Sequence, residues 1–369
     1  MKPTHVSEGS LAAGRRVVLA SEQREFEIRD VLDTAWVRGD LQSDWTLLLE
    51  SLSREDQATT MSLDPDEEVL QSMSEEFRYE RDLLTAEETE KWLADRDISE
   101  EDFTNFFLRR YWLRAIDQQS KNLPEDFWAA SPDLRELLRI DLLLSGRFDQ
   151  HARELSWRLT ALPQPPGASS PADAMQTQVM RGRFIAGHNF TEENLGRALA
   201  GLERDILWLN ECLQLEAAYH YVCDQLLTDE KRARLLVSLR LPLTKVEVET
   251  MVVRSPHAAN EAVLCLRENQ LSMSELASEC DSSCDRMNVF LGDCSPELQR
   301  ALLSASPGEI LAPQSDGETF VVCRLINKTE SDIHEQEVKA RLDQRLLESH
   351  FSELTRERIR WAGAWERIA

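Results

Sequence analysis

The sequence predicts a mostly α-helical α+β protein that contains more than one domain. Its 369 residues exceed what a single hydrophobic core usually serves. Helical spacing of apolar residues and helix-start signals cover most of the chain. Two segments in the C-terminal half are rich in Val and Thr and predict strands. Hydrophobic residues make up 42% and charged residues 30%, so the chain can form packed cores.

A proline-rich segment, PQPPGASSP at residues 163–171, divides the chain. Its prolines cannot continue a helix, and it has no large apolar side chain to bury. We therefore predict five parts in chain order: an N-terminal helical domain at 1–162, a linker at 163–179, a helical segment at 180–244, a small α+β domain at 245–328, and at 329–369 a C-terminal helix that packs on the helical module.

The N-terminal part carries clear helix signals. Thr85 is followed at the third position by Glu88, which is the pattern of a capping box. Phe103, Phe106 and Phe107 recur at helical spacing, with more aromatic side chains just beyond them. Such an aromatic stripe faces either the core or a groove for a partner.

In the C-terminal part the pattern alternates between strands and helices. We predict strands at 245–254 and 319–326, helices at 258–279 and 296–304, and a final helix at 332–361.

The charge is strongly negative, at −25. A field of this sign repels nucleic-acid phosphates and anionic membrane surfaces, so neither is expected as a partner. Residues 55–102 contain 18 acidic and 4 basic side chains. They form either solvated helix faces or a surface that attracts a basic partner.

The first residues lack the apolar stretch of a secretory signal, and no run of 18 apolar residues occurs. All seven cysteines lie after residue 211, and an odd number favours reduced thiols. We therefore expect a cytoplasmic location.

No metal or cofactor is expected. Cys280, Cys284 and Cys294 lack the close spacing of a metal clamp, and Cys212 and Cys223 are about 16 Å apart on one predicted helix. The chain contains neither a phosphate-binding glycine loop nor the His-Glu-x-x-His pattern.

Residues 245–328 resemble the parvulin (PpiC-type) peptidyl-prolyl isomerase domain. The resemblance rests on four segments in the family's order: the first strand, KVEVETMVVRS; the helical stretch ending MSELA; LLSASPGEILAP, with its Pro-Gly-Glu; and the closing strand in PQSDGETFVVCRLINK. Long helices before this domain and one helix after it are similar to the layout of SurA-type and PrsA-type foldases. In those proteins, helices from both ends build a chaperone module around the parvulin domain.

The family's active site has two histidines on neighbouring strands, a Cys or Asp in addition, and a glycine-rich loop. In this sequence, Thr250 and Val321 occupy the two histidine positions, and the loop between 279 and 296 has no double glycine. Neither Thr nor Val can replace imidazole as a donor and acceptor. The resemblance therefore implies a parvulin fold that has lost isomerase activity, so we predict no catalytic residue.

We predict a protein that binds an extended peptide or an unfolded protein client, with a modifying enzyme as a further partner if it is an accessory factor in bacterial peptide maturation. The candidate peptide-binding residues are Thr250, Met251, Met287, Val289, Phe290, Phe320 and Val321. Two alternatives remain open: an isomerase that uses Thr250, Cys280 or Cys284 in altered roles, and a non-catalytic subunit of a larger complex.

Overall fold

The computed structural model describes residues 16–22, 24–117, 126–162, 174–268, 271–280, 282–317 and 319–368. The proline-rich segment 163–171 lies outside these residues. The described chain forms two compact units. The first comprises the chain up to Asp224 together with the stretch from Ser349 onward, and the second is Gln225–Glu348. The finer domain limits predicted from the sequence stay a prediction.

The first part of the chain is mainly helical. After two short strands, the helices follow closely on one another. In order, the elements are β1 (Val17–Ala20), β2 (Glu25–Glu27), α1 (Ile28–Arg38), α2 (Leu41–Thr60), α3 (Glu67–Glu80), α4 (Ala86–Ala94), α5 (Glu100–Ala115), a short 3-10 helix (Phe127–Ala129), α6 (Pro132–Ser145), α7 (Arg147–Ala161), α8 (Ala174–Gly187), α9 (Glu192–Gly201) and α10 (Ile206–Leu226).

The remaining part alternates between strands and helices before a long final helix. Its elements are α11 (Asp229–Ser238), β3 (Lys245–Val253), α12 (Pro256–Arg267), α13 (Met273–Glu279), β4 (Cys284–Phe290), a 3-10 helix (Leu291–Asp293), α14 (Pro296–Ser304), β5 (Gln314–Asp316), β6 (Thr319–Thr329), α15 (Gln336–Arg358), β7 (Arg360–Trp361) and a 3-10 helix (Gly363–Ile368). The mostly helical α+β fold predicted from the sequence is confirmed.

The aromatic stripe on α5 faces the core of the first unit. Phe106 and Phe107 are buried, and Phe77 of α3 packs edge-to-face against Phe103 and Phe107, with ring centroids 5.2 and 5.7 Å away. The capping box at Thr85 forms as predicted, since its hydroxyl accepts from the Glu88 amide while the Glu88 carboxylate accepts from the Thr85 amide. Of the two interpretations of the stripe, core packing is therefore the one that the structure supports.

A small sheet that the sequence did not predict joins the two ends of the first unit. β2, β1 and β7 lie in that order, all antiparallel, and Leu19 of β1 faces Trp361 of β7. The predicted final helix was to continue to Trp361, but α15 ends at Arg358. The pairing partner of β7 is more than 300 residues earlier in the sequence, so no local pattern could reveal it.

The acidic segment at 55–102 forms exposed helix faces. Most carboxylates of α3 and α4 point to solvent, whereas apolar side chains such as Phe77 and Leu93 are buried. This arrangement is typical of amphipathic surface helices. None of the described helices combines the length and the apolar character that a bilayer span requires.

The second unit contains the four-stranded sheet, in the order β4-β3-β6-β5, with every neighbouring pair antiparallel. The two strands predicted at 245–254 and 319–326 are both present in this sheet, as β3 and β6. The predicted helix at 258–279 is wrong in one respect, because it divides into α12 and α13. Ser272 caps the second of these through a capping box with Glu275.

Candidate functional site

The central strand β3 directs alternate side chains to the two faces of the sheet. Met251 and Val253 belong to a core that includes residues of α12 and α13. Val246 and Val248 belong to a different core, which includes Leu302 of α14. Each face of the sheet thus has its own packed cluster.

The Pro-Gly-Glu segment explains how the face under α14 is built. Gly308 has a φ of 87°, a left-handed conformation that glycine adopts without steric cost. The turn lets the chain run back along β6, where the Gly308 amide donates to the Leu325 carbonyl at 2.7 Å and the Leu311 amide donates to the Cys323 carbonyl at 2.9 Å. The motif that carried the sequence resemblance therefore protects part of the outer side of β6.

The face under α14 has an uncovered part. Val252 faces Val321 across the β3–β6 pair, Thr250 is two residues along β3 from Val252, and Met287 faces Val248 across the β3–β4 pair. Val252 and Met287 are 43% and 42% exposed, while Thr250 and Val321 are half-buried. We call Thr250, Val252, Met287 and Val321 the open strip.

Both histidine positions of the parvulin resemblance fall in the open strip. Thr250 lies directly opposite Cys323 on β6, so Val321, two residues away on the same face, is its diagonal neighbour. The Thr250 hydroxyl donates a long hydrogen bond of 3.4 Å to the Asp285 carbonyl. One hydroxyl side chain and one aliphatic side chain thus stand where the resemblance places a pair of imidazoles.

The thiols near the strip are held in their protonated form. Burial raises the pKa of Cys323 to about 11, and Cys294 nearby adds to the effect. Cys284 lies on the opposite face of the sheet, where burial and then Glu249 raise its pKa as well. At neutral pH these sulfur atoms are neutral, so they provide no thiolate nucleophile.

Four of the candidate peptide-binding residues do not reach the open strip. Met251 is 1% exposed within the core beside α12 and α13, and Phe320 packs against the same core. Val289 packs against the core under α14. Phe290 is buried with Val338 and related residues in a third cluster. The structure therefore brings together Thr250, Met287 and Val321, and the binding role of all seven stays a prediction.

Val252 was missed by sequence reasoning although a signal for it exists. In a strand, residues two apart share a face, so Val252 is the natural companion of Thr250. We predicted Met251, the next residue after Thr250, but its side chain lies on the opposite face of the sheet. Polar and apolar residues also alternate from Arg286 to Val289. This alternation identifies β4 within the stretch predicted as a loop.

The strand β4 forms one edge of the sheet. It pairs with β3, and none of the described residues pairs with its other side. Asp285 to Asn288 are exposed, and Arg286 is held by Glu247 at 2.7 Å on the face opposite the strip. The outward backbone groups of an edge strand can pair with an added extended chain.

The cysteines that invite a metal interpretation are spread over different elements. Cys280 follows α13, Cys284 begins β4 and Cys294 follows a 3-10 helix. Within the described parts of the chain, no three His, Cys, Asp or Glu side chains lie close enough together to hold a metal ion. All seven cysteines are free thiols.

The solved structures similar to this chain are foldases and SurA-like chaperones. PrsA, a peptidyl-prolyl isomerase from Bacillus anthracis, is 13% identical, with 56% of this chain and 94% of that chain covered and a TM-score of 0.28. PrsA from Bacillus cereus is 14% identical, with 59% and 85% covered and a TM-score of 0.34. A SurA-like chaperone from Campylobacter jejuni is 6% identical, with 59% and 87% covered and a TM-score of 0.19. No protein-family model and no curated protein sequence matches the chain.

Helices come first along the chain, the four-stranded sheet with its helices follows, and one long helix leads to the C-terminal part of the first unit. The sequence predicted this order of elements.

Proposed function

We propose that the chain binds an extended peptide or an unfolded protein segment along the open strip and does not catalyse prolyl isomerisation. The observation that carries this proposal is the apolar character of the strip: Thr250 and Val321 replace the family's imidazoles, and the exposed Val252 and Met287 flank them. Exposed apolar side chains grouped at the rim of a packed sheet are typical of a binding surface.

The dimensions of the strip fit a short extended segment. Val252 and Val248 are four residues apart on β3, which corresponds to about 13 Å, and Met287 faces Val248 on the next strand, about 4.8 Å away. Val321 faces Val252 on the other neighbouring strand, so Val321 and Met287, the two ends of the strip, are separated by roughly 16 Å, the length of about five residues in extended conformation. A peptide of about five residues can cover all four side chains of the strip.

The β4 edge supplies hydrogen bonds to a bound chain in this proposal. A strand paired there lies in the plane of the sheet, so it would be a further segment of the client beside the one that covers the strip, with alternate side chains next to Met287 and next to Arg286. Main-chain hydrogen bonds contribute affinity for a peptide of any sequence, and the side chains of the strip favour apolar residues in that peptide. Asp285 on this edge and the acidic helices at 55–102 favour clients of basic or neutral charge.

The proposed loss of catalysis follows from the groups that remain. Rotation about an X-Pro bond faces a barrier of about 18–20 kcal/mol. The strip contributes the Thr250 hydroxyl, and the exposed carboxylate of Asp285 lies beside it on the same face, across the β3–β4 pair. The nearest thiol, Cys323, is buried and protonated. A surface of this kind can hold the peptide, but it lacks the paired imidazoles of the parvulin site.

A prolyl-peptide isomerisation assay together with calorimetric titration of the same peptide tests the proposal. We expect binding of an unfolded, proline-containing peptide with no acceleration of cis–trans exchange above the uncatalysed rate. Turnover that Thr250→Ala abolishes would instead establish the active-isomerase alternative. Failure to bind peptide combined with recovery of a stoichiometric protein partner would favour the complex-subunit alternative.

We further propose that the client is a ribosomally made precursor peptide and that a modifying enzyme acts on it while it is held. This role comes from the layout resemblance noted in the sequence. The free thiols favour a reducing compartment, so the proposed location is the cytoplasm. A small peptide gene beside a modifying-enzyme gene in the neighbourhood of this gene would support the role, and an unrelated neighbourhood would count against it.

A further inference from the structure

The edge strand β4 has one acidic side chain, Asp285, and it lies on the face of the open strip. Asp285 is directly opposite Thr250 in the β3–β4 pair, so the two side chains share a face. Met287 follows two residues later on the same face, roughly 6.6 Å further along the strand, and both Asp285 and Met287 are exposed. A carboxylate and a thioether therefore stand side by side along the outer edge of the strip.

Asp285 differs from the other charged side chains of β3 and β4, because it has no ion-pair partner among the described residues. Its Oδ2 accepts from the Ser283 hydroxyl at 3.0 Å, and its Oδ1 has no hydrogen-bond partner in the described parts of the chain. Every other charged side chain of these two strands forms an ion pair: Lys245 with Glu335, Glu247 with Arg286, and Glu249 with Arg324.

A client strand that pairs with β4 would exclude water from this carboxylate. Removing water from a charge without supplying a partner is unfavourable. The added strand would lie about 4.8 Å from β4, so the side chain of a lysine or arginine beside Asp285 reaches its carboxylate. A basic client residue at this one position therefore supplies the missing counter-charge.

The next client side chain on the same face lies beside Met287. Because alternate residues of a strand share a face, it belongs to the residue two positions from the basic one, and an apolar side chain there covers the thioether. The residue between them lies next to Arg286 on the other face, where Glu247 balances the charge at 2.7 Å. This middle position therefore makes no demand on the client sequence.

We propose that β4 selects a client segment in which a basic residue and an apolar residue are separated by one residue of any kind, and that Asp285 sets this spacing. The inference rests on the proposed function, because it requires a client strand paired with β4. It goes beyond a general preference for positive charge. The net charge of −25 attracts a cationic peptide wherever its charge lies, whereas Asp285 distinguishes one position from the next.

Two peptides of identical composition separate the position of the charge from its amount. Ac-Thr-Leu-Thr-Lys-Thr-Leu-Thr-amide has its lysine two residues from each leucine and reads the same in both strand directions. Its isomer, Ac-Thr-Leu-Lys-Thr-Thr-Leu-Thr-amide, has the lysine on the face opposite the leucines. We expect calorimetric titration of the full chain to show that the symmetric peptide binds about twofold to fivefold more tightly, the range that a cross-strand pair of opposite charges provides.

Variants at the exposed position 285 locate the effect. Asp285→Asn removes the charge and should abolish the difference between the isomers. Asp285→Lys should make a peptide with glutamate in place of the central lysine bind more tightly than the lysine peptide. Glu261→Gln is the matched control, because it also removes one exposed carboxylate, and α12, on which Glu261 lies, packs against the other face of the sheet. The control should keep the preference of the unchanged chain.

Equal affinity of the unchanged chain for the two isomers, or a difference that persists in Asp285→Asn, would overturn the inference. If the isomers bind equally, or if neither binds while a proline-containing unfolded peptide does, the spacing rule fails and the proposed function stands. If no peptide binds at all, both fail.

Discussion

The open strip makes a quantitative prediction for peptide binding. Val252→Thr and Met287→Gln preserve the approximate size of both side chains and replace apolar surface by polar groups. Both residues lie on the surface, so the double variant should fold normally. We expect it to bind a proline-containing unfolded peptide more weakly than the unchanged chain does.

The magnitude follows from the exposure of the two side chains. Complete burial of a Val or Met side chain is worth about 1.5–3 kcal/mol. Val252 and Met287 are 43% and 42% exposed, so covering them with peptide contributes roughly 0.6–1.3 kcal/mol each. Since about 1.4 kcal/mol corresponds to a factor of ten, the double variant should raise the dissociation constant about eightfold to seventyfold.

Fluorescence or calorimetric titration measures this change, and Leu264→Gln is the matched control. Leu264 is 58% exposed on α12, on the other side of the sheet from the strip. Its replacement removes a similar apolar surface and should change the dissociation constant little. Equal weakening by the control would mean that binding is non-specific, and an unaffected double variant would refute the role of the strip.

Two further predictions concern stability. A Cβ at Gly201 would lie 2.8 Å from a backbone carbonyl oxygen, whereas one at Gly196 on the same helix meets nothing within 4 Å. Gly201→Ala should therefore lower the free energy of unfolding by about 1–3 kcal/mol, whereas Gly196→Ala should raise it by about 0.5–1 kcal/mol. Urea unfolding of both variants measures these changes, and equal effects would contradict the steric argument. Burial alone would raise the pKa of Asp44, but hydrogen bonds from His151 and Arg147 bring it below its ordinary value of 3.8. Because a lowered carboxyl pKa stabilises the folded state above the unfolded pKa and this contribution is lost as pH falls through the folded value, Asp44→Asn should cost about 1.5–3 kcal/mol at pH 7 and progressively less in acid. If Asp44→Asn lowers the free energy of unfolding by the same amount at pH 7 and in acid, this assignment is wrong.

Elements with strong local signals were predictable from the sequence. The bounds predicted for α14 match the structure, because Ser295 caps the helix and Pro296 occupies its first turn. The strands β3 and β6 were also predicted, since both are rich in Val, and Val246, Val248, Val253 and Val322 are buried against the sheet. In each case the residues that specify the element lie within it.

Elements that depend on distant partners were not predictable in this way. β4 is an edge strand with exposed Asp285, Arg286 and Asn288, and such polar residues are equally common in loops. β7 contains two residues and exists because it pairs with β1. For the site, alignment with the parvulin pattern identified Thr250 and Val321, but the side chain that completes the strip, Val252, required knowledge of which face of the sheet is uncovered.

The pairing of β1 with β7 has a consequence for biosynthesis. Leu19 leaves the ribosome hundreds of residues before Trp361, its partner in the sheet. During translation, all four strands of the second unit can therefore pair before β7 pairs with β1 in the first unit. A released chain truncated after residue 348 should thus contain a protease-resistant four-stranded sheet and an incomplete first unit. Contacts between such distant positions also slow folding. After dilution from denaturant, the second unit should therefore refold faster than the first.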